Sequence, residues 1–414
     1  MYARHLTHGL LEALSDSPVV FLNGARQTGK STLAQQLAAG PHPARYVTLD
    51  DIGVLSAAKS DPQGFLAGFD GPVILDEVQR APELFLPLKA EVDRDRRAGR
   101  FLLTGSASAL VLPRLSESLT GRMEILTLWP LSQGELDGVK EGFIDALFTP
   151  GVSVQPVEPI AREELWQRVA RGGYPEPLSR PRPERRRAWV SSYLTAILER
   201  DVRDLANIEG LTQLPRLMNL LAIRTASLMN FAEISRAMGF PQTTLKRYLA
   251  LLEATFLARR LPPWSGNLSK RLVKAPKLYL NDTGLAADLL GIEAARIGTD
   301  GALSGPLLET FAMAELEKQL GWSRTRPRMY HFRTQTGLEV DIVLEDGQGR
   351  CVGIEIKAGS VAAGDFKGLK ALEETLGKRF IRGIVLHAGR ETVPFAKNMH
   401  ALPVSALWLL RGKR

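Results

Sequence analysis

Five short, almost unbroken apolar runs punctuate the first third of the chain: Val19–Leu22, Arg45–Leu49, Val73–Leu75, Phe101–Thr104 and Ile125–Leu128. Runs this short, with so few polar interruptions, read as parallel strands covered on both faces. Stretches of helical periodicity lie between them, for example Ser31–Ala39 and Ala81–Arg94. Strands alternating with helices predict a doubly wound α/β sheet. The pattern breaks over Pro130–Pro159 into glycine, proline and acidic residues, which reads as a linker. Residues 161–295 read as mostly helical, with proline-rich interruptions at Pro175–Pro183 and Pro262–Pro263. An amphipathic helix, Pro306–Leu320, then precedes strands at Met329–Phe332, Val340–Leu344, Val352–Ile356 and Ile381–Leu386. The expected division is a sheet domain over 1–130, linker and helical lid over 131–210, a helix-rich unit over 211–295 and a second α/β domain over 296–414.

Composition narrows the class. At 414 residues, 44% hydrophobic and 24% charged, the chain is ordinary for a globular protein and too long for one core. No apolar run reaches the roughly 18 residues of a membrane span, and the N-terminus lacks a signal-peptide core. Cys351 is the single cysteine, so no intrachain disulfide can form and no zinc spacing exists. A cytoplasmic location is the expectation. The net charge of +8 suits a polyanionic partner such as DNA, although a surplus of arginine also serves solubility.

The chemistry begins after the first run. Gly24-Ala25-Arg26-Gln27-Thr28-Gly29-Lys30-Ser31 matches the phosphate-binding pattern G-x-x-x-x-G-K-[ST], with Thr32 opening the helix behind it. Gly24 and Gly29 let the backbone turn its N–H groups towards the β- and γ-phosphates of ATP. Lys30 adds a cation, the Ser31 hydroxyl ligands Mg²⁺, and the helix presents its positive end to the anion. Val73-Ile-Leu-Asp76-Glu77 is an apolar strand ending in two carboxylates. Asp76 is expected to hold the metal through water, and Glu77 to orient and deprotonate the attacking water. Thr104 and Ser106, at the end of the next strand, are placed to sense the γ-phosphate. Arg114 and Arg122 are both candidate arginine fingers, with a neighbouring subunit of a homo-oligomer as one target; Arg122, in Leu-Thr-Gly-Arg, is favoured. Either is also readable as a surface arginine.

GARQTGKS, ILDEVQ, LLTGSAS, the LTGR before a strand and Arg171-Gly-Gly-Tyr174-Pro together resemble prokaryotic AAA-superfamily ATPases with a C-terminal domain of unknown function. The likeness spans essentially the whole chain. It implies a five-stranded core with an additional strand and a catalytic glutamate, with Asp76 and Glu77 in the roles just argued. It also implies a helical lid containing Arg171-Gly-Gly-Tyr-Pro.

Residues 213–261 read as a winged helix-turn-helix. Helices Leu214–Ile223 and Phe231–Met238 precede a turn at Gly239-Phe-Pro241 and a third helix, Gln242–Glu253. Leu245, Leu249 and Leu252 share one face of that helix; Gln242, Thr243, Thr244, Lys246 and Arg247 offer the other to phosphates and base edges. Phe256–Leu261 and Lys277–Leu280 would form the wing. Protein contact is the competing role for such a unit. In the last domain, Glu309 on its helix, Asp341 on a strand and Glu355-Ile-Lys357 on the next resemble the PD-(D/E)XK nuclease core. Glu309, Asp341 and Glu355 would bind Mg²⁺ there, and Lys357 would help activate water. The competing reading is a degenerate nuclease fold that does not cut. The functions in play are thus an ATP-driven machine on DNA, an ATP-dependent protein switch, and a defence- or toxin-linked nuclease.

Overall fold

A computed structural model describes residues 2–106, 119–149, 157–201, 213–267, 271 and 275–411. Strands β1 (Val19–Asn23), β2 (Arg45–Thr48), β3 (Val73–Asp76), β4 (Phe101–Gly105) and β5 (Met123–Thr127) form one parallel sheet in the order β2-β3-β4-β1-β5. Every residue of β1, β3 and β4 is buried, which is why these runs carry no polar alternation. Successive residues feed opposite faces. Val20, Leu22, Ile74 and Leu102 pack on helices Leu6–Asp16 and Lys30–Ala39. Val19, Phe21, Leu75 and Leu103 pack on helix Phe85–Arg94. Each strand ends within a residue or two of its expected limit.

The expected linker is folded. Helices Gln133–Asp137 and Phe143–Phe148 occupy it, with Phe143, Ile144 and Leu147 buried. Three of its acidic residues, part of the pattern read as a linker, are internal acceptors. Glu135 closes a capping box with Ser132, Glu141 accepts from Ser132 Oγ and Gly134 N, and Asp145 takes four hydrogen bonds from residues 323–325. A carboxylate with several N–H or O–H donors can be buried without penalty exceeding its bonds.

Downstream, helix Leu214–Ile223, strand β6 (Ser227–Leu228), helices Phe231–Met238 and Gln242–Ala254, and strands β7 (Ala258–Leu261) and β8 (Lys277–Leu280) follow one another. The three strands form an antiparallel sheet ordered β6-β8-β7. β6 is too short to leave a pattern in the sequence. Helix Gly301–Leu320 leads into β9 (Arg328–Arg333), β10 (Glu339–Glu345), β11 (Cys351–Lys357), β12 (Phe380–His387), β13 (Val393–Ala396) and β14 (Met399–Pro403), a mixed sheet ordered β13-β14-β12-β11-β10-β9. One continuous core joins this sheet to the middle unit: Leu217, Leu249 and Tyr279 belong to it together with Phe311, Ile342, Ile354 and Trp408. The boundary expected at 296 is therefore not a break in packing. Among the described residues, no helix is long and apolar enough to cross a membrane.

Candidate functional site

Parallel strands bring their C-terminal ends to one edge, and three of them deliver the polar residues. Residues 24–29 leave β1 and turn into helix Lys30–Ala39. Gly24 has φ +149° and a Cβ there would stand 2.3 Å from Leu128 O, so glycine is required; Gly29 sits at φ +94°. The Lys30 ammonium, buried, donates to Gly24 O at 3.0 Å and Ala25 O at 2.8 Å. Ser31 Oγ donates to Asp76 Oδ1 at 3.0 Å across 45 residues of sequence. Asp76, buried at the end of β3, also accepts from Thr104 Oγ1 on β4 and from Tyr46 OH on β2 at 2.7 Å. Burial and that bond push the Tyr46 hydroxyl pKa well up, so it stays a donor. Glu77 follows in the left-handed region, φ 59°, and its carboxylate is bonded by Gln79, whose amide also reaches Ser106 Oγ at 3.1 Å. Ser31 and Asp76 offer hard oxygen atoms beside a buried ammonium, the donor set that a magnesium-bound polyphosphate requires; the residues present fit that group.

Sequence reasoning missed the residues that brace this loop. Arg4 donates to Thr28 O at 2.7 Å, Trp129 O at 2.6 Å and Glu135 Oε1 at 3.0 Å, tying the loop to the folded segment after β5. Tyr193 OH reaches Arg26 O at 3.4 Å and stacks on Trp189. Gly172 and Gly173 of the Arg-Gly-Gly-Tyr-Pro segment press on other chain: a Cβ would lie 2.2 Å from Asp282 Oδ1 and 2.3 Å from Leu131 O, respectively. Asp282, buried, accepts from Gly173 N at 2.8 Å. Tyr46 and Gln79 left no motif either; only the register of β2 beside β3 could have pointed to Tyr46.

Arg122 lies elsewhere. It precedes β5, and its carbonyl accepts from Val19 N, the first residue of β1. That is the opposite edge of the sheet from the phosphate loop, about 13 Å away for a five-residue strand at ~3.3 Å per residue. Its guanidinium is held by Asp93 in two bonds of 2.6 and 3.1 Å. The expectation that an arginine before a strand reaches the site at that strand's end is corrected within one chain. Arg114 lies outside the described residues.

On helix Gln242–Ala254, Leu245, Leu249 and Leu252 are buried while Thr243, Lys246 and Arg247 are exposed and Thr244 is half-buried. Lys246 Nζ lies 5.6 Å from the Phe231 ring centre.

In the C-terminal sheet the expected quartet does gather, around a residue the sequence reading had placed in a wing. Lys277 Nζ, from β8, donates to Glu309 Oε1 and to Asp341 Oδ1, each at 2.8 Å. Tyr279 OH donates to the same Glu309 oxygen at 2.6 Å, and Ile356 N to Asp341 Oδ2 at 2.9 Å. Lys357 Nζ pairs with Glu355 Oε1 at 2.9 Å, leaving Glu355 Oε2 buried with no partner among the described residues. Burial, reinforced by the Asp341 charge, pushes the Glu309 carboxyl up to about 8 and raises that of Glu355. Clustered carboxylates do need cations among them, but here the protein supplies them, Lys277 between Glu309 and Asp341 and Lys357 on Glu355. A divalent ion does not fit this arrangement, and no group of three or more His, Cys, Asp or Glu among the described residues could hold a metal. The signal was a lysine opening an otherwise apolar strand, Lys277-Leu-Tyr-Leu.

The fold and the loop define the N-terminal unit as a P-loop domain of the AAA ATPase class, and a family model described as "AAA domain" matches residues 16–137. Two models described as domains of unknown function, DUF8612 and DUF4143, match residues 162–296 and 304–407. The chain belongs to the family of "Uncharacterized protein Rv2008c" of Mycobacterium tuberculosis and "Uncharacterized protein Mb2031c" of Mycobacterium bovis, each 32% identical over 399 residues, covering 96% of this chain and 82% of theirs. Among solved structures, the Thermotoga maritima RuvB Holliday junction branch migration motor aligns at 18% identity with a TM-score of 0.31, covering 62% of this chain and 89% of that one. AMPPCP-bound DnaA from Aquifex aeolicus aligns at 13% with a TM-score of 0.28, covering 60% and 85%.

Proposed function

We propose that the protein binds and hydrolyses ATP with Mg²⁺ and couples that cycle to DNA. The observation that carries the first half is the meeting of Ser31 and Asp76 beside buried Lys30, at the edge where β1, β3 and β4 end. Lys30 and the loop N–H groups of residues 25–29 hold the phosphates. Ser31 and Asp76 would hold Mg²⁺, which when bound neutralises phosphate charge. Glu77 takes the proton of the attacking water, and Thr104, bonded to Asp76, registers the γ-phosphate. Arg122, half-buried on the far edge and paired with Asp93, serves as a finger towards a neighbouring copy in a homo-oligomer. The test is Glu77→Gln: ATP binding is retained while turnover is lost. Near-wild-type turnover would move the catalytic base elsewhere.

The DNA half rests on the helix–strand–helix–helix–strand–strand order of residues 214–280, which we read as a winged helix with Gln242–Ala254 as its recognition helix. Thr243, Thr244, Lys246 and Arg247 contact the duplex. Stimulation of ATP hydrolysis by DNA supports this; its absence favours a switch that contacts protein. For the C-terminal sheet, read as nuclease-like, Lys277 favours a scaffold that does not cut. Cleavage that disappears in both Asp341→Ala and Lys357→Ala would reverse that reading.

A further inference from the structure

We propose that Lys277 is the resident cation of the C-terminal acidic site: its ammonium stands where a divalent metal would, and it excludes one. The inference deepens the non-cutting reading of this sheet and rests on it. Four observations support it. Lys277 Nζ is equidistant, at 2.8 Å, from oxygens of Glu309 and Asp341, which come from different elements, so it bridges them as a metal would. Its side chain is 4% exposed, so it is a built-in part of the site and not a surface residue folded over it. Glu355, across from Asp341 by the register of β10 and β11, has Oε2 buried without a partner among the described residues, so only its other oxygen is committed, to Lys357. The charges also nearly close: the three carboxyls of Glu309, Asp341 and Glu355 face the two ammonium groups of Lys277 and Lys357, each carboxyl paired with one of them. At most one net negative charge is left to offset the dehydration of a divalent ion.

The lysine reaches the site from β8, which pairs with β6 and β7 of the middle unit. The exclusion of metal is thereby tied to the docking of one unit on the other. A lysine on the sheet's own strands would not create that dependence.

Mn²⁺ is the probe, titrated by calorimetry into nucleotide-free full-length protein as wild type, Asp341→Asn, Lys277→Met and Lys277→Met/Asp341→Asn. Wild type and Asp341→Asn are expected to bind Mn²⁺ alike, because the acidic site takes none. Lys277→Met is expected to gain one Mn²⁺ site that the double variant loses. Wild-type binding that Asp341→Asn removes would overturn the proposal, as would a folded Lys277→Met that gains nothing. Should Lys277→Met be too unstable to titrate, Mn²⁺ is expected to raise its melting temperature and to leave that of Lys277→Arg unchanged; no rise overturns the proposal. DNA cleavage by wild type, measured separately, would sink the scaffold reading whatever the Mn²⁺ titration shows.

Discussion

Asp76 gathers a hydroxyl from each of three elements, Ser31, Tyr46 and Thr104, and this convergence sets how tightly the nucleotide edge is organised. Only the Ser31 and Thr104 contributions were legible, because a motif names Ser31 and the end of a neighbouring strand suggests Thr104. Tyr46 and Arg4 act through register and through a chain reversal, which leave no spacing to read. Arg4 makes a test at this scale. Its guanidinium binds two carbonyls and Glu135, whose side chain is 1% exposed. Arg4→Ala should cost about 1–3 kcal/mol of stability, since it removes the cationic partner of a buried carboxylate that keeps only the N–H donors of His5 and Ser132. It should also weaken ATP binding by loosening Thr28; urea unfolding and nucleotide titration check the two effects. Gly24→Ala is the sharper case. Its Cβ would meet a backbone oxygen, which cannot turn aside as a side chain could. Binding of ATP should be lost while the sheet still folds, as read by nucleotide titration against circular dichroism.

At the scale of elements, helix Gln242–Ala254 separates an apolar stripe from an exposed basic one, and the two stripes make different predictions. Lys246→Glu/Arg247→Glu leaves Leu245, Leu249 and Leu252 untouched, so the melting temperature should hold. DNA affinity should fall, and the dependence of wild-type affinity on salt should be steep and become shallower in the variant, through the loss of counterion release. Binding that ignores salt would assign the stripe to a protein partner. Elements built on strong periodicity were legible: the five strands of the first sheet and this helix sit where the pattern put them. Three of those missed have a physical cause. β6 has two residues, β13 is fully exposed, and the 131–148 segment hides its packing behind acidic residues that bond inward. Hydrophobic patterning reports burial of apolar side chains and is blind to burial of carboxylates.

Over the whole molecule, the middle unit and the C-terminal sheet share one core, and the ionic cluster of Lys277, Glu309 and Asp341 sits in the seam between them. That placement gives stability a pH signature. Glu309 ionises at its ordinary 4.5 in the unfolded chain but at about 8 when folded, because burial and the Asp341 charge disfavour its anion. Between those values the folded state keeps a proton that the unfolded state has released, so this residue's contribution to stability falls as pH rises. Lys277 does not oppose the trend: its pKa is raised from 10.5, so it stays charged in both states throughout that window. His42, His387 and His400, whose pKa values burial lowers, act in the opposite direction, so the wild-type profile alone is a sum of both. The comparison that isolates Glu309 is Glu309→Gln, whose amide oxygen can still accept from Lys277 and Tyr279 but cannot ionise. Near the acid end of the window the two proteins should unfold at similar urea concentrations, since wild-type Glu309 is then neutral in both states. As pH rises towards 8 the variant should become progressively the more stable, by at most about 1.4 kcal/mol per pH unit. A gap that stays constant with pH, or that widens in favour of wild type, would mean that Glu309 is ionised in the folded protein. Lys277 would then be neutralising two full charges at the seam.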